Sequence, residues 1–556
     1  MSDKASPEQT PTPTPTGRGS LVLAVLASLT LILVFVYLIV RTLLFLEADL
    51  PWYEKSLAGV LLLAESFIMV HSLGYFINLL HVFIKGAGTT PLPPAPPGEP
   101  TEYPPVAILV ASYKEPLAVL DNTLTCFYNL TYPNKRLFFL DDTRYDLPGQ
   151  DPEQMAAYRR SIDDLCRELG VNLFRRNWRG AKAGIINDFL DFTAGRFKEG
   201  FEFTPYAERP RQDPEKYLIL FDADMNPFPD FVEPLVARME AEPRLAFIQT
   251  PQYYSNFERN RVARAAGLQQ AIFYEYICEG KSLKDAMFCC GTNVIFRREA
   301  FEDVGGFDET SVTEDIATSM KFHLKGWRSA YLNKVCAFGM GPEDLGGYFK
   351  QQFRWALGTI GLGRYMLGQF LRHPRSLSLA KWWEYFLSGT HYFVGWTFFI
   401  MMLCPILYLL WGVPTFFSRP DIYFLVFFPY MLLSLSIFFW TLKDRRYGLR
   451  ELIMGQLLIG VSYPVFMKAS LLGFLGYRGS FGITPKGQSM SLPLRTLWPQ
   501  VVVCALSVAA LVYGLNRLVY EPTPLFAILV NAFWCVYHLT IVSTAVLYFN
   551  QPLERE

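Results

Sequence analysis

The feature that most constrains the fold is a long apolar run near the start of the chain. Residues 20–46 contain one charged side chain, Arg41, among residues that are otherwise almost all apolar. A helix needs about 20 such residues to cross a bilayer, so the run predicts a membrane span with Arg41 snorkelling toward one surface. The Pro/Thr-rich residues 1–19 are too long for the start of a signal peptide, and we expect them to form a disordered tail.

Further apolar runs predict five more spans, which gives six in total. They are residues 56–84, 387–411, 422–441, 497–516 and 524–548. Basic residues flank the ends that we assign to the inner side, as in the loop at residues 443–450, whereas the short turn after the first span is acidic. We therefore expect a multi-pass protein of the plasma (inner) membrane, with both termini and the domain after the second span in the cytosol.

The segment from 105 to 346 has the texture of a soluble domain, and a proline-rich linker (85–104) precedes it. Short apolar strands alternate with helical patterns at 117–129 and 153–169. Such βα units predict a mostly parallel sheet. The predicted strands are residues 106–112, 136–142, 172–176, 217–224 and 245–250. Residues 202–215 are expected to be a surface insertion.

The composition and motifs of the whole chain argue against several classes of function. The formal net charge is zero, which argues against a nucleic-acid partner. The chain contains no GxGxxG and no GxxxxGK[ST] motif, so neither dinucleotide binding nor P-loop chemistry is indicated. The nine cysteines have no metal-binding spacing, and we expect them to be reduced.

Two segments after the domain are mainly apolar but contain charged or amide side chains that a simple membrane span would not have. Residues 347–386 mix aromatic side chains with Lys350, Arg354 and Arg364, which predicts helices lying at the membrane surface. Residues 452–475 contain Gln456 and Lys468 and are expected to be partly interfacial.

Two carboxylates stand at the end of the most apolar strand of the domain. The run Tyr217–Phe221 is followed by Asp222 and Asp224, one residue apart. The carboxyl edge of an open α/β sheet is where ligands bind, and two carboxylates there suit a divalent cation with a phosphate. Taken alone, the pair is equally compatible with a chance acidic turn.

Other motifs extend this pattern. Tyr113 and Glu115 follow the first strand, Asp141 and Asp142 end the second, and Lys182 opens a helix. Later come the segments Thr313-Glu314-Asp315 and Gln351-Gln-Phe-Arg-Trp355. Strand-end acids with a lysine and an arginine suit a nucleoside diphosphate held through a metal. Thr313 before two acids is also a good helix N-cap, which is the structural alternative for that segment.

The ordered set of Asp141/Asp142, Asp222-Ala-Asp224, Thr313-Glu-Asp315 and Gln351–Trp355 between membrane spans resembles processive family 2 glycosyltransferases of the cellulose synthase type. The resemblance covers about residues 100–550. It implies a Rossmann-like, nucleotide-sugar-binding domain of the GT-A type, with its active site against a membrane channel. The expected fold class is thus a membrane α/β protein, with this domain (105–346) placed between transmembrane helices.

A further match concerns the substrate. Residues 481–486, FGITPK, resemble the FxVTxK gating loop of cellulose synthases, within an expected loop at 477–490. This resemblance favours UDP-glucose as donor and a β-glucan as product. Thr484 and Lys486 would close over the donor phosphates. The sequence ends shortly after the last apolar run, so we expect no cyclic di-GMP-binding barrel.

The resemblance also assigns roles. Asp315 is expected to be the general base of an inverting transfer, beside Glu314. Asp224, with Asp222, is expected to hold Mg²⁺ or Mn²⁺; Met225 replaces a histidine found at this position in many cellulose synthases. The remaining expected donor-binding residues are Tyr113, Glu115, Asp141, Asp142, Lys182, Gln351 and Arg354. The expected acceptor-binding residues are Phe288, Cys290 and Trp355.

Structural alternatives apply to several of these residues. Tyr113 suits a strand-end core position and Lys182 a solvated helix start. Arg354 and Trp355 suit an interfacial helix, and Cys290 suits a buried structural thiol.

Rival functions also stay open. One is a hyaluronan- or chitin-type synthase that uses UDP-N-acetylglucosamine; another is a non-processive transferase that glucosylates a lipid; a third is a transporter or scaffold with an inactive transferase domain. The sequence leaves the linkage (β-1,4, β-1,3 or mixed), the metal preference and any accessory subunits open.

Overall fold

The computed structural model describes residues 18–85, 103–207, 214–258, 260–414, 420–445, 447–477, 490–520 and 525–551. Most of the expected tail, most of the proline-rich linker and nearly all of the expected gating loop lie outside these ranges. The described chain opens with two long helices, α1 (Arg18–Glu47) and α2 (Trp52–Lys85).

The two leading helices pack along each other and share a buried ion pair. The Arg41 Nε atom lies 2.8 Å from Glu65 Oε2, and the Arg41 side chain is 1% exposed. The prediction that Arg41 snorkels to a membrane surface is therefore wrong. A charge in apolar surroundings is costly unless it is paired, and α2 supplies the partner.

The domain that follows contains eleven strands within the described residues. They are β1 (Val106–Ser112), β2 (Lys135–Asp141), β3 (Asn172–Arg175), β4 (Glu202–Thr204), β5 (Tyr217–Asp222), β6 (Met225–Pro227), β7 (Leu245–Gln249), β8 (Tyr253–Tyr254), β9 (Val294–Arg297), β10 (Arg328–Tyr331) and β11 (Ala337–Gly339).

Eight strands form one mixed sheet in the order β10-β7-β9-β5-β1-β2-β3-β4. The neighbours β5, β1, β2 and β3 are parallel, as the alternating pattern predicts. However, β9 enters antiparallel between β5 and β7, and β4 pairs antiparallel with β3. The sheet is therefore less parallel than predicted. Strands β6, β11 and β8 form a second, smaller sheet.

The expected surface insertion at 202–215 is only partly correct. Residues Glu202–Thr204 form the edge strand β4. At the other end, the Glu215 side chain is 2% exposed and lies 2.6 Å from Arg136 Nη1 and 3.4 Å from Arg298 Nη2. A buried carboxylate between two guanidinium groups belongs to the interior of the domain, and the sequence pattern did not indicate it.

The domain also contains helices, several of which cover the two faces of the large sheet. They are α3 (Leu117–Tyr128), α4 (Pro152–Glu168), α5 (Ala181–Thr193), α6 (Val232–Ala241), α7 (Arg261–Ile272), a π-helical turn (Phe273–Ile277), α8 (Cys278–Leu283), α9 (Arg298–Val304) and α10 (Glu314–Leu324). Alternate residues of β1 face opposite cores: Ile108 packs with α3, α4 and α6, whereas Leu109 packs with α5, α9 and α10. This gives a three-layer α/β/α domain.

The remaining described chain is helical. Its helices are α11 (Leu345–Arg372), α12 (Leu379–Thr390), a 3-10 turn (His391–Phe393), α13 (Val394–Trp411), α14 (Pro420–Asp444), α15 (Leu449–Val461), α16 (Tyr463–Leu475), α17 (Trp498–Tyr520), α18 (Leu525–Thr544) and a terminal π turn (Ala545–Phe549).

Six helical stretches of the described chain are long and apolar enough to cross a membrane, in agreement with the six predicted spans. They are Leu21–Glu47, Trp52–Lys85, Leu379–Trp411, Phe424–Lys443, Trp498–Tyr520 and Leu525–Phe549. The third begins earlier than predicted, because α12 continues into α13 through the short 3-10 turn. The predicted interfacial segment at 452–475 is a bent pair, α15 and α16, with an angle of 51° between them.

Candidate active site

The expected donor site lies where three parallel strands end. In the register of the sheet, Ser112 of β1 is opposite Asp141 of β2, and Ala111 is opposite Asp222 of β5. The carboxyl ends of neighbouring parallel strands share one edge, so the acids predicted from separate motifs meet there.

Lys182 contacts the first acid of the Asp222-Ala-Asp224 motif. Its ammonium donates hydrogen bonds to Asp222 Oδ1 and, at 2.6 Å, to the Gly291 carbonyl oxygen. Burial lowers the pKa of Lys182, but the charge of Asp222 and the hydrogen bond to it outweigh burial, so the pKa is raised overall. Lys182 therefore stays charged at the strand edge, and the solvated-lysine alternative is not supported.

The turn that presents Lys182 has an unusual backbone. Gly180 and Ala181 both have positive φ, 57° and 48°. This region is costly for a residue with a side chain such as alanine, so the turn stores strain. Such strain is typical of functional sites, and here it places Lys182 in the first turn of α5.

The carboxylates of Asp222 and Asp224 suit a divalent cation that also binds a phosphate. Asp222 and Asp224 are both half-buried, and among the described residues no third His, Cys, Asp or Glu joins them in a metal-binding group. Mg²⁺ is commonly held by one or two carboxylates, with substrate phosphates and water as the other ligands. Met225 is buried in the core and lies against Gly339, so its side chain is not a donor to this site.

The two acids at the end of β2 differ in their surroundings. Asp141 Oδ2 accepts hydrogen bonds from Arg175 Nε (2.7 Å) and the Tyr145 hydroxyl (2.6 Å), so this oxygen is occupied within the protein. Asp142 lies 2.9 Å from Arg176 Nη2. Burial raises the pKa of Asp142 to about 7 in spite of that arginine. The carboxyl group of Asp142 therefore changes charge near neutral pH, and it can form hydrogen bonds.

Tyr113 and Glu115 lie half-buried in the loop between β1 and α3. Between them, Lys114 has φ of 53°, and its backbone N–H donates to the Thr143 hydroxyl at 3.0 Å. This left-handed residue ties the loop to the end of β2. Nothing in the sequence pattern indicated it, since the conformation depends on Thr143.

The Thr-Glu-Asp motif begins α10. Thr313 occupies the N-cap position, but its side chain makes no capping hydrogen bond. Asp315 Oδ1 accepts from the Ile316 backbone N–H at 2.8 Å, and a methyl group at Gly291 would lie 3.2 Å from Asp315 Oδ2. The carboxylate therefore lies against the Gly291 backbone, whose carbonyl receives the hydrogen bond from Lys182.

Both acids of this motif have raised pKa values, and the charge of Glu314 contributes to that of Asp315. Burial, and then the neighbouring charge of Glu314, raise the pKa of Asp315 to about 7. Burial also raises the pKa of Glu314, which the charges of Lys182 and Arg354 oppose. A carboxyl group with a pKa near 7 suits a general base that operates near neutral pH. Because the charge of Glu314 contributes to the raised pKa, Glu314 increases the basicity of Asp315.

The residues of the Gln-Gln-Phe-Arg-Trp motif lie on α11, which passes beside the same site. Gln351 lies close to the Tyr254 hydroxyl and opposes the rise in its pKa that burial causes. Arg354 is close enough to act on the charge of Glu314. Trp355 faces the cavity described next.

A cavity of about 1080 Å³ connects this site with the membrane helices. Asp315, Phe288, Cys290 and Trp355, which are the expected base and acceptor residues, all line it. The same cavity reaches residues of the apolar helices, including Met401, Trp534, Tyr537 and His538. An acceptor bound near Asp315 would therefore have a continuous path into the helical region.

Sequence reasoning missed several residues that line this cavity. They include the amide side chains of Gln252, Gln269, Gln270, Gln352 and Gln456. Amides can donate and accept hydrogen bonds and suit the hydroxyl groups of a sugar. Their positions in separate helices and loops give no local sequence pattern, although Gln352 is the second residue of the Gln351–Trp355 motif.

Cys290 is at the cavity wall and is not a nucleophile candidate. Burial raises the pKa of its thiol well above the usual range, so it stays protonated. Cys290 and its neighbour Cys289 are both free thiols. Thr484 and Lys486, the expected gating-loop residues, lie outside the described residues.

Two family models match the chain. The model described as glycosyl transferase family 2 matches residues 107–305, and the model described as glycosyl transferase family group 2 matches residues 217–441. Among solved structures, the mannosyltransferase PcManGT from Pyrobaculum calidifontis, in complex with GDP-Man and Mn²⁺, aligns at 18% identity over 72% of this chain and 98% of that one. The TM-score of this alignment is 0.42.

Two cellulose synthases are similar to most of the chain. A cellulose synthase catalytic subunit (UDP-forming) from Pseudomonas fluorescens is 27% identical over 81% of this chain, and cellulose synthase 2 from Novacetimonas hansenii is 26% identical over 92%. The aligned part is 57% of the first relative and 30% of the second. Together with the mixed α/β domain and its flanking apolar helices, these matches identify residues 107–441 as a family 2 glycosyltransferase region, in a chain that is similar to cellulose synthases over most of its length.

Proposed function

We propose that the protein is a membrane-embedded, processive, inverting glycosyltransferase that polymerises glucose from UDP-glucose into a β-glucan and passes the product into the membrane region. The observation that carries this proposal is the cavity that begins at Asp315, Cys290 and Trp355 and continues among the membrane helices.

Asp315 acts as the base in this proposal. Its carboxylate takes the proton of the acceptor hydroxyl as that oxygen attacks the anomeric carbon of the donor, which inverts an α-linked donor to a β-linked product. Phe288 and Trp355 offer rings against which the acceptor sugar can pack. Both line the same cavity as Asp315.

The donor is held by charged groups at the strand edge. Lys182 and Arg354 bind the diphosphate, and Asp142, Tyr113 and Glu115 bind the uridine. Asp222 and Asp224 would hold Mg²⁺ or Mn²⁺, which neutralises charge on the leaving UDP when bound. We further propose that the domain and both termini are cytosolic, and that Thr484 and Lys486 close over the donor.

The test uses purified, full-length protein in lipid nanodiscs, with UDP-glucose and either Mg²⁺ or Mn²⁺. We expect UDP release with formation of a polymer that a glucanase degrades, and digestion with linkage-specific glucanases assigns the linkage. A lipid-linked monosaccharide as the sole product would refute processivity. Turnover of UDP-N-acetylglucosamine but not UDP-glucose would refute the donor.

A further inference from the structure

A buried group of charged side chains lies beside the cavity, outside the residues assigned so far. We call it the lysine cluster: Lys281, Lys284, Glu384 and Asn78. Glu384 Oε2 lies 2.9 Å from Lys281 Nζ, and Glu384 Oε1 lies 2.5 Å from Lys284 Nζ. Asn78 Oδ1 accepts a second hydrogen bond from Lys284 at 2.8 Å. The cluster thus joins α8 of the soluble domain to α12 and α2.

The charges in this cluster do not balance. It contains two ammonium groups and one carboxylate, and the side chains of Lys281, Lys284 and Glu384 are 3%, 6% and 1% exposed. Buried charges are costly, and either lysine alone would neutralise Glu384. Charge balance therefore does not explain why both lysines are present.

The two lysines differ in what else they touch. Lys281 lines the cavity, and its Nζ atom lies 5.3 Å from the centre of the Phe288 ring. Its other hydrogen bonds go to the Glu384 carbonyl oxygen (3.2 Å) and the Ser388 hydroxyl (3.0 Å). Lys284 is not among the residues that line this cavity.

The contacts of Lys281 indicate how it acts. Its three hydrogen-bond donors are engaged by Glu384 and Ser388, so it does not need a sugar hydroxyl as partner. Its charge also lies over the face of the Phe288 ring, which attracts it. This interaction fixes an aromatic ring at the acceptor end of the cavity relative to helix α12.

We propose that Lys281 is a positioning residue for the acceptor sugar: by holding the Phe288 ring, it keeps the end of the growing glycan in place between transfers. The proposal rests on the proposed function, since it presumes a polymer that stays bound. Loss of the charge should let the acceptor dissociate earlier and shorten the product, without changing how the donor binds.

The experiment compares Lys281→Gln with the matched control Lys284→Gln in the full-length protein in nanodiscs. Each change removes one ammonium from the same carboxylate, keeps a hydrogen-bond donor and leaves a neutral Lys–Glu pair, so both should lower the melting temperature similarly. We expect only Lys281→Gln to shorten the glucan, by about two- to fivefold in mean length, as loss of one cation–π contact should. The KM for UDP-glucose should not change in either variant.

A conservative variant completes the test. Lys281→Arg retains a cation and should restore most of the product length. If Lys281→Gln does not fold, Lys281→Met keeps the apolar stem and should shorten the product in the same direction. Equal product lengths for the Lys281 and Lys284 variants would overturn the proposal, whereas absence of any polymer from the unaltered protein would instead refute the proposed function.

Discussion

Gly358 of helix α11 lies directly against Thr313 at the start of the Thr-Glu-Asp motif. A methyl group on Gly358 would come within 2.5 Å of Thr313 Cγ2 and 3.1 Å of the Thr313 backbone nitrogen. The helix that carries Arg354 and Trp355 therefore touches the turn that carries Asp315. Only a residue without a side chain allows this approach.

This contact predicts that Gly358→Ala impairs transfer. The new Cβ atom would push α11 away from Thr313 and displace Trp355 relative to Asp315, and a shift of about 1 Å can reduce a rate about 10²-fold. UDP release measures the effect. Gly368→Ala is the control, because beyond its own helix turn no atom of the described residues lies within 4 Å of a Cβ atom at that position of the same helix. If both variants keep full activity, the contact has no role in the site.

The proposed base gives a second prediction. Asp315→Asn should lower the rate of UDP release by about 10²–10⁴-fold, the usual contribution of a general base, with little effect on folding. Asp303→Asn is the control, since Asp303 is partly exposed and bonds Trp327 and Lys325 at the surface. Retention of more than about a tenth of the activity by Asp315→Asn would exclude Asp315 as the base.

The pH dependence follows from the raised pKa of Asp315. The base must be ionised to act, and its pKa is about 7, so kcat/KM should increase as the pH rises through about 7. Glu314 is a negative neighbour that raises this pKa. Glu314→Gln should therefore move the acid limb of the profile to lower pH, whereas Glu302→Gln, at an exposed position, should leave it in place. A limb that does not move in Glu314→Gln would contradict the coupling.

The strand-end acids predict how the protein responds to divalent cations. Asp224→Asn removes one of two expected ligands, so more Mn²⁺ should be needed both for UDP release and for the rise in melting temperature that UDP and Mn²⁺ produce together. Asp230→Asn is the control, because Asp230 follows the same motif but bonds Lys334 at the surface. An unchanged Mn²⁺ requirement in Asp224→Asn would place the cation elsewhere.

Much of the site could be predicted from short stretches of sequence. The run from Tyr217 to Asp222 forms β5 and ends in an acid, as predicted, and Lys182 lies in the first turn of a helix beside that acid. These features depend on residues close in sequence. Apolar periodicity and helix-start signals are patterns of such neighbouring residues, so they can be read directly from the sequence.

Other features could not be read in this way. Strand β9 was not predicted, because Val294–Arg297 is short and is a strand only through its pairing with β5 and β7. Glu215 was expected at the surface, and its burial depends on Arg136 and Arg298, which come from distant parts of the chain. Arg41 was expected to snorkel and instead pairs with Glu65.

The sequence by itself determined the six apolar stretches, the parallel strands at the centre of the sheet and the motifs that mark the donor edge, because each depends on neighbouring residues. The tertiary structure decided which residues line the same cavity as Asp315 and why Lys281 differs from Lys284. The partners in the lysine cluster are 103 positions apart, Lys281 and Glu384. Their contact exists only once the soluble domain and the membrane helices have packed, since burial, rather than residue type, makes a charge require a partner.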